Sequence, residues 1–284
     1  MIDLRGKTAL VTGATNGIGL ASARALARMG AKLFIVARDP LRSESARVEI
    51  ARESNGAEVR VLRADLGSQA DVRRAAAEFL ATGEPLHLLL NNAGVMQLSR
   101  SETSDGIETT FAVNHLAYFL LTNLLLACIR ASAPARIVNV ASDAHRMGGA
   151  LDFDDLGSAK RYSAMGVYGR SKLANLLFTR ELARRLAGSG VTVNAVHPGL
   201  VRTGLGRNND APLLKLLANL ARPFFRSPEK GAETSIWACT APELDGVTGR
   251  YFSDRREQRP HAHALDDAAA GRLWDASAKL VGLS

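Results

Sequence analysis

Tyr168 and Lys172 stand four residues apart in "YGRSKLANLLF" (168–178), beside an apolar stripe of Leu173, Leu176, Leu177 and Phe178. That stripe belongs to an amphipathic helix, and on a helix residues four apart share a face. A phenol with its ordinary pKa of about 10 is too weakly acidic to serve as a base near neutrality. A neighbouring ammonium, or the positive nicotinamide of an oxidised cofactor, lowers that value, so the pair is a candidate proton donor and acceptor. The reaction it suits is the interconversion of a carbonyl and an alcohol, in which hydride moves at carbon and a proton at oxygen. Two more residues belong with it by type. Ser142 ends the run "RIVNVAS", where a hydroxyl can hydrogen-bond a substrate oxygen. Asn114 lies in the middle of the apolar "FAVNHLAYF", where an amide needs a partner. Taken singly, each is weak evidence: the Tyr–Lys spacing is close to chance, Ser142 suits a strand-end turn and Asn114 a packing position. His115 and His197 lack a nucleophile partner and read as structural.

A cofactor site is legible at the other end of the chain. The run "TALVTG" leads into "TGATNGIG" (12–19), which then opens a helix. Gly13, Gly17 and Gly19 suit a tight turn, close approach to a pyrophosphate and close helix–strand packing, and the free N–H groups of the helix start favour phosphate. Thr15, Asn16 and Ile18 of the same turn are candidate cofactor-binding residues with them. The second strand ends at Ala37 and Arg38, where an NAD-preferring site usually has a carboxylate. Arg38 can stack on adenine and pair with a 2′-phosphate, so NADP(H) is favoured over NAD(H). Asp39 follows, and either faces the ribose or caps the next helix, whose Pro40 suits a first-turn position.

These residues need a scaffold. Apolar runs at 8–13, 32–38, 58–65, 86–94, 136–142 and 191–199 read as strands covered on both faces, and segments of helical spacing separate them. The alternation predicts an α/β fold: a single doubly wound, Rossmann-type parallel sheet with helices on both faces. One domain spans 1–284, its core about 5–255. Two stretches break the pattern, 143–167 and 200–229. Both follow strand ends, where ligands bind in such sheets, so they read as substrate-covering insertions. The apolar "APLLKLLANLARPFF" (211–225), with Met147, Leu151 and Met165, suggests a hydrophobic carbonyl or alcohol substrate.

Composition narrows the classes. Of 284 residues, 46% are hydrophobic and 23% charged, which suits a soluble protein with a large core. No stretch reads as a membrane span and the N-terminus does not read as a secretory signal. The two cysteines, Cys128 and Cys239, have no metal-ligand spacing, and a reducing cytoplasm is the simplest setting. The net charge of +8 is dispersed and aromatics are only 5%, which argues against nucleic-acid binding.

Together "TGATNGIG", "RADL", "NNAG" (91–94), Asn114, Ser142, "YGRSK" and "HPGLVRT" (197–203) resemble the short-chain dehydrogenases/reductases, in that order along roughly residues 5–255. "DAHRMGGALDFDDL" and "YGRSKLANLLFTRELARRL" resemble the branch of the retinol dehydrogenases and the WW-domain oxidoreductase. The resemblance implies a catalytic set of Asn114, Ser142, Tyr168 and Lys172, with Asn114 holding a water that relays protons from Lys172 to solvent. It implies that Asp65 contacts adenine with Leu66 beside it. Asn91, Ala93 and Gly94 would lie beneath the adenosine ribose and stabilise the central strand. Thr203, after Pro198 and Gly199, would hold the carboxamide, while Tyr168 and Lys172 also touch the cofactor. It further implies a homodimer or homotetramer built through the two long helices, or, for this branch, a monomer. A sugar epimerase would show G-x-x-G-x-x-G and a larger C-terminal domain. A non-enzymatic NADP(H) sensor or scaffold would be expected to lack one of Ser142, Tyr168 and Lys172, and none is missing. A domain built for partner assembly would use 211–225 as its docking surface.

Overall fold

Six of the apolar runs form strands in the computed structural model, which describes residues 2–54, 56–201 and 226–283. They are β1 (Thr8–Thr12), β2 (Lys32–Ala37), β3 (Val59–Arg63), β4 (Leu88–Asn91), β5 (Ala135–Val140) and β6 (Val191–His197). With β7 (Tyr251–Ser253) and β8 (Arg256–Glu257) they make one sheet in the order β3-β2-β1-β4-β5-β6-β7-β8. All pairings are parallel except β7–β8. The last two strands escaped the hydropathy reading because three and two residues are too short for a period to show. The order reverses between β1 and β4, so their carboxyl ends open the crevice in which such sheets bind ligands.

Helices cover both faces. On one lie α1 (Gly17–Arg28), α2 (Pro40–Glu53) and α6 (Pro228–Thr240), which bury Leu26, Ile50 and Ala238. On the other lie α3 (Gln69–Ala81), α4 (Thr109–Ala131), α5 (Ala164–Arg185) and α7 (Asp267–Leu280), which bury Phe79, Phe119, Leu173 and Leu273. α7 follows the end of the repeating pattern, yet its Leu273 is 1% exposed and belongs to this core.

Helix α4 differs from the expectation that no stretch could cross a membrane, since its 23 residues are long and apolar enough by length and composition. Its side chains are spent on the core: Phe111, Tyr118, Phe119, Leu120, Leu121 and Leu125 are all buried there. α7 lies over α4 and α5. Trp274 stacks on Phe178 at 6.0 Å and meets Phe119 edge-on at 4.9 Å, and the Arg185 guanidinium lies 4.1 Å above the indole.

Candidate active site

The candidate residues arrive at the carboxyl edge of the sheet from separate elements. Ser142 sits two residues beyond β5 in extended conformation and caps a short 3-10 turn, its Oγ accepting from Ala144 N–H at 3.2 Å. Tyr168 and Lys172 lie in the early turns of α5. The stripe that follows, with Leu173 and Leu177 buried, anchors α5 in the core and so sets the direction of its first turns. Asn114 lies in a π-helical stretch of α4, Ala112–Leu116, where the bonding slips by one residue and Ala117 N–H reaches Ala112 O.

Lys172 is 2% exposed, and no carboxylate pairs with it among the described residues. Its ammonium donates to Val140 O at 3.0 Å and lies 5.6 Å from the centre of the Tyr168 ring. Burial drives its pKa down to about 7. Burial pushes the Tyr168 phenol up to about 12, against a hydrogen bond with Ser142 that acts to lower it. Burial therefore outweighs any lowering of the phenol by Lys172, and the lowering expected of a positive nicotinamide is a separate contribution. A lysine near its own neutral point carries little charge to lend, and desolvation of Tyr168 dominates.

The Asn114 amide is engaged through both its oxygen and its nitrogen. Its Oδ1 accepts from Val95 N–H at 2.7 Å, and its Nδ2 donates to Val95 O and to Ser171 Oγ, both at 2.9 Å. Ser171 in turn donates to Tyr168 O at 2.7 Å, so Asn114 braces the first turn of α5. Sequence reasoning missed three further supports. Tyr118 donates to Ala93 O at 2.7 Å and lays its ring 5.9 Å from the Lys172 ammonium. Asn139 accepts from Asn91 Nδ2 at 2.9 Å and donates to Thr179 at 3.0 Å. Asn175 donates to Val140 O, the carbonyl that also holds Lys172. The available signal was a polar residue inside each apolar run, as in "VNVAS" and "KLANLLF".

The cofactor candidates fall into two groups. Gly13, Thr15, Asn16, Gly17, Ile18 and Gly19 form the β1–α1 turn. Gly13 has φ +68, and a Cβ there would lie 2.8 Å from Ala93 Cα, so only glycine fits. Asn16 makes no side-chain cap and the first turn of α1 holds no acidic residue, which leaves its N–H groups for a phosphate. A Cβ on Gly94 would meet Lys172 Nζ at 3.5 Å, so the glycine keeps the space beside the ammonium open. At the adenosine end Arg38 and Asp65 leave β2 and β3 side by side and pair at 3.2 Å. Leu66 packs on the core, and Pro198 and Gly199 follow β6 directly. The donors and the glycine cradle fit a dinucleotide. Asn91, the last residue of β4, is 0% exposed and its side chain donates to Thr122 and Asn139, which ties β4 to its neighbours. Thr203 and most of the 200–229 insertion, including 211–225, lie outside the described residues. Asp39 caps α2, accepting from Arg42 N–H at 2.9 Å.

A doubly wound sheet with a glycine turn at its switch point and a buried Tyr–Lys pair defines a nicotinamide-dinucleotide oxidoreductase. The short chain dehydrogenase family model matches residues 7–213. A mouse (Mus musculus) protein named retinol dehydrogenase 12 is 48% identical over 282 residues, 99% of this chain and 88% of the relative. Among solved structures, an uncharacterised protein from Mycobacterium paratuberculosis has a TM-score of 0.80 at 33% identity, covering 99% of this chain and 96% of that one. A short chain dehydrogenase from Burkholderia cenocepacia in complex with NADP has a TM-score of 0.70 at 27% identity, over 88% of this chain and 96% of that one. The chain belongs to the short-chain dehydrogenase/reductase family, in the branch of the retinol dehydrogenases. It is an NAD(P)-dependent oxidoreductase acting on CH–OH and C=O groups.

Proposed function

We propose that this enzyme interconverts an apolar aldehyde or ketone and its alcohol with NADP(H), using Tyr168 as the acid and base. The observation that carries the reading is the meeting of Ser142, Tyr168 and Lys172 at one sheet edge, with the Lys172 ammonium 5.6 Å from the centre of the phenol ring. The bound cofactor supplies or accepts the hydride. Tyr168 gives the carbonyl oxygen its proton, or takes the alcohol's, and Ser142 holds that oxygen. Lys172 faces the ring and, with a pKa near neutrality, can pass a proton on. Both Asn114 Nδ2 hydrogens are engaged, so a relay water beside it would donate to the second lone pair of Oδ1 or be held by the main chain of the π-helical stretch.

The preference for NADP(H) rests on Arg38 and Asp39. Arg38 is 68% exposed at the end of β2, where its guanidinium pairs with Asp65 and a 2′-phosphate could share it, while Asp39 is spent as a helix cap. An apolar substrate accords with exposed Leu98, Met147, Met165 and Leu200, all in segments that follow the carboxyl ends of β4, β5 and β6. Retinol, in the name of the mouse relative, is an alcohol of this class. The test is NADPH and NADH oxidation over a panel of aldehydes and ketones. Tyr168→Phe is expected to lower turnover about 10²–10⁴-fold while NADPH binding persists. Undiminished turnover in that variant removes Tyr168 as the acid.

A further inference from the structure

Ser142 must present its hydroxyl to a substrate oxygen from a turn only four residues long, Asp143–Arg146. A 3-10 turn of that length has little rigidity of its own. What stiffens it is His145. The ring is 1% exposed and stands edge-on to Tyr251, centroids 5.5 Å apart at 82°. Its Nδ1 lies 2.7 Å from Ser142 O, which also accepts the His145 main-chain N–H at 3.1 Å. Its Nε2 lies 3.0 Å from the main-chain N of His261, in the segment that follows β8. A carbonyl can only accept and an amide N–H can only donate, so the ring must be neutral, with the proton on Nδ1 and Nε2 bare. Two more bonds tie the same turn to the same part of the chain. Tyr251 OH donates to Asp143 Oδ1 at 3.0 Å, and Arg146 Nη2 donates to Arg259 O at 2.9 Å.

We propose that His145 is a positioning residue of the active site, a strut that holds the Ser142 turn by joining its carbonyl to the His261 amide. The segment after β8 is thereby part of the catalytic apparatus, although it touches none of the candidate reacting groups. The Ser142 carbonyl is the fixed point: with it clamped twice, the short turn cannot rotate the hydroxyl away from Tyr168. This inference rests on the reading of Ser142 as the ligand of the substrate oxygen.

Three substitutions separate positioning from bulk stability, with decanal and NADPH as the probe reaction. His145→Asn keeps a donor where Nδ1 stands and loses the reach to His261. His145→Gln keeps an acceptor near the place of Nε2 and loses the donor to Ser142. His145→Leu loses both. We expect kcat to fall about 10- to 100-fold in all three, because each breaks the link between the Ser142 carbonyl and the His261 amide, and KM for NADPH to stay within twofold. A purely structural role predicts instead that kcat follows Tm across the three variants, and that result overturns the proposal, as does wild-type kcat in His145→Asn, which keeps the Ser142 contact but not the one to His261. So does wild-type kcat in His145→Leu while Ser142→Ala is inactive. Full activity in Ser142→Ala overturns the role of Ser142 itself. Independently of turnover, ring ¹⁵N shifts in the unliganded protein should show His145 with a protonated Nδ1 and a bare Nε2. Averaged tautomers there sink the strut.

Discussion

Lys172 puts function against stability at a single residue. An ammonium buried with no carboxylate partner among the described residues and a hydrogen bond to Val140 O is costly, and burial brings its pKa to about 7 against an ordinary value near 10.5. Between those two pH values the unfolded chain binds the extra proton and the folded protein does not. Stability from this residue therefore grows as pH rises from 7 to 10.5 and levels off below 7, where both states carry the proton. The increment is up to about 5 kcal/mol. Lys172→Met is expected to abolish this rise and to leave Tm at pH 7 no lower than the wild type, while turnover drops about 10²-fold or more. Denaturant titrations at pH 7 and 10 measure the first effect; parallel slopes in both proteins would refute it. Tyr168 and Lys172 were legible as a pair because helical spacing alone puts them on one face. The direction of their pKa shifts was not legible, since it depends on which neighbours remove water from them.

At the scale of elements, α2 decides what Asp39 does. Pro40 at the first helical position and the Asp39 side chain on Arg42 N–H make an N-terminal cap, and this leaves Arg38 as the charged group facing outward. Asp39→Ala should lower Tm slightly, by roughly 2 °C, and leave the NADPH-to-NADH preference unchanged. A shift of the preference towards NADPH would mean that Asp39 had been competing for the ribose. Both roles were open in "ARDP", because a carboxylate after a strand serves equally well at a cap or a ribose. Only the backbone conformation distinguishes them: Asp39 is extended, φ −83 and ψ 120, with its oxygen turned into the helix start. The π-helical stretch around Asn114 was equally out of reach, since a one-residue slip in hydrogen bonding leaves no mark on hydropathy.

For the whole molecule, the position of α7 has the widest consequence. Association through α4 and α5 requires an open apolar face on those helices. Trp274 and Leu273 already occupy it, and the Arg180–Asp267 ion pair closes its margin. Apart from Met165 at the start of α5, no large apolar side chain on either helix is exposed among the described residues. The expected outcome of light scattering is a single species near 30.3 kDa. A mass of twice that value would show that another surface mediates pairing, because this one is covered.

The strand–helix alternation, the glycine turn and the chemistry-bearing Tyr, Lys, Ser and Asn were determined by the sequence itself, because period, conformational freedom and side-chain type are local properties. The tertiary structure alone decided which partners surround them. It set the Asn91 amide on Thr122 and Asn139 and a histidine from the insertion against an amide 116 residues away. It also laid a C-terminal helix across the face expected to pair. Each of these depends on contacts between residues far apart in the chain, and such contacts exist only once the sheet has brought its strand ends together.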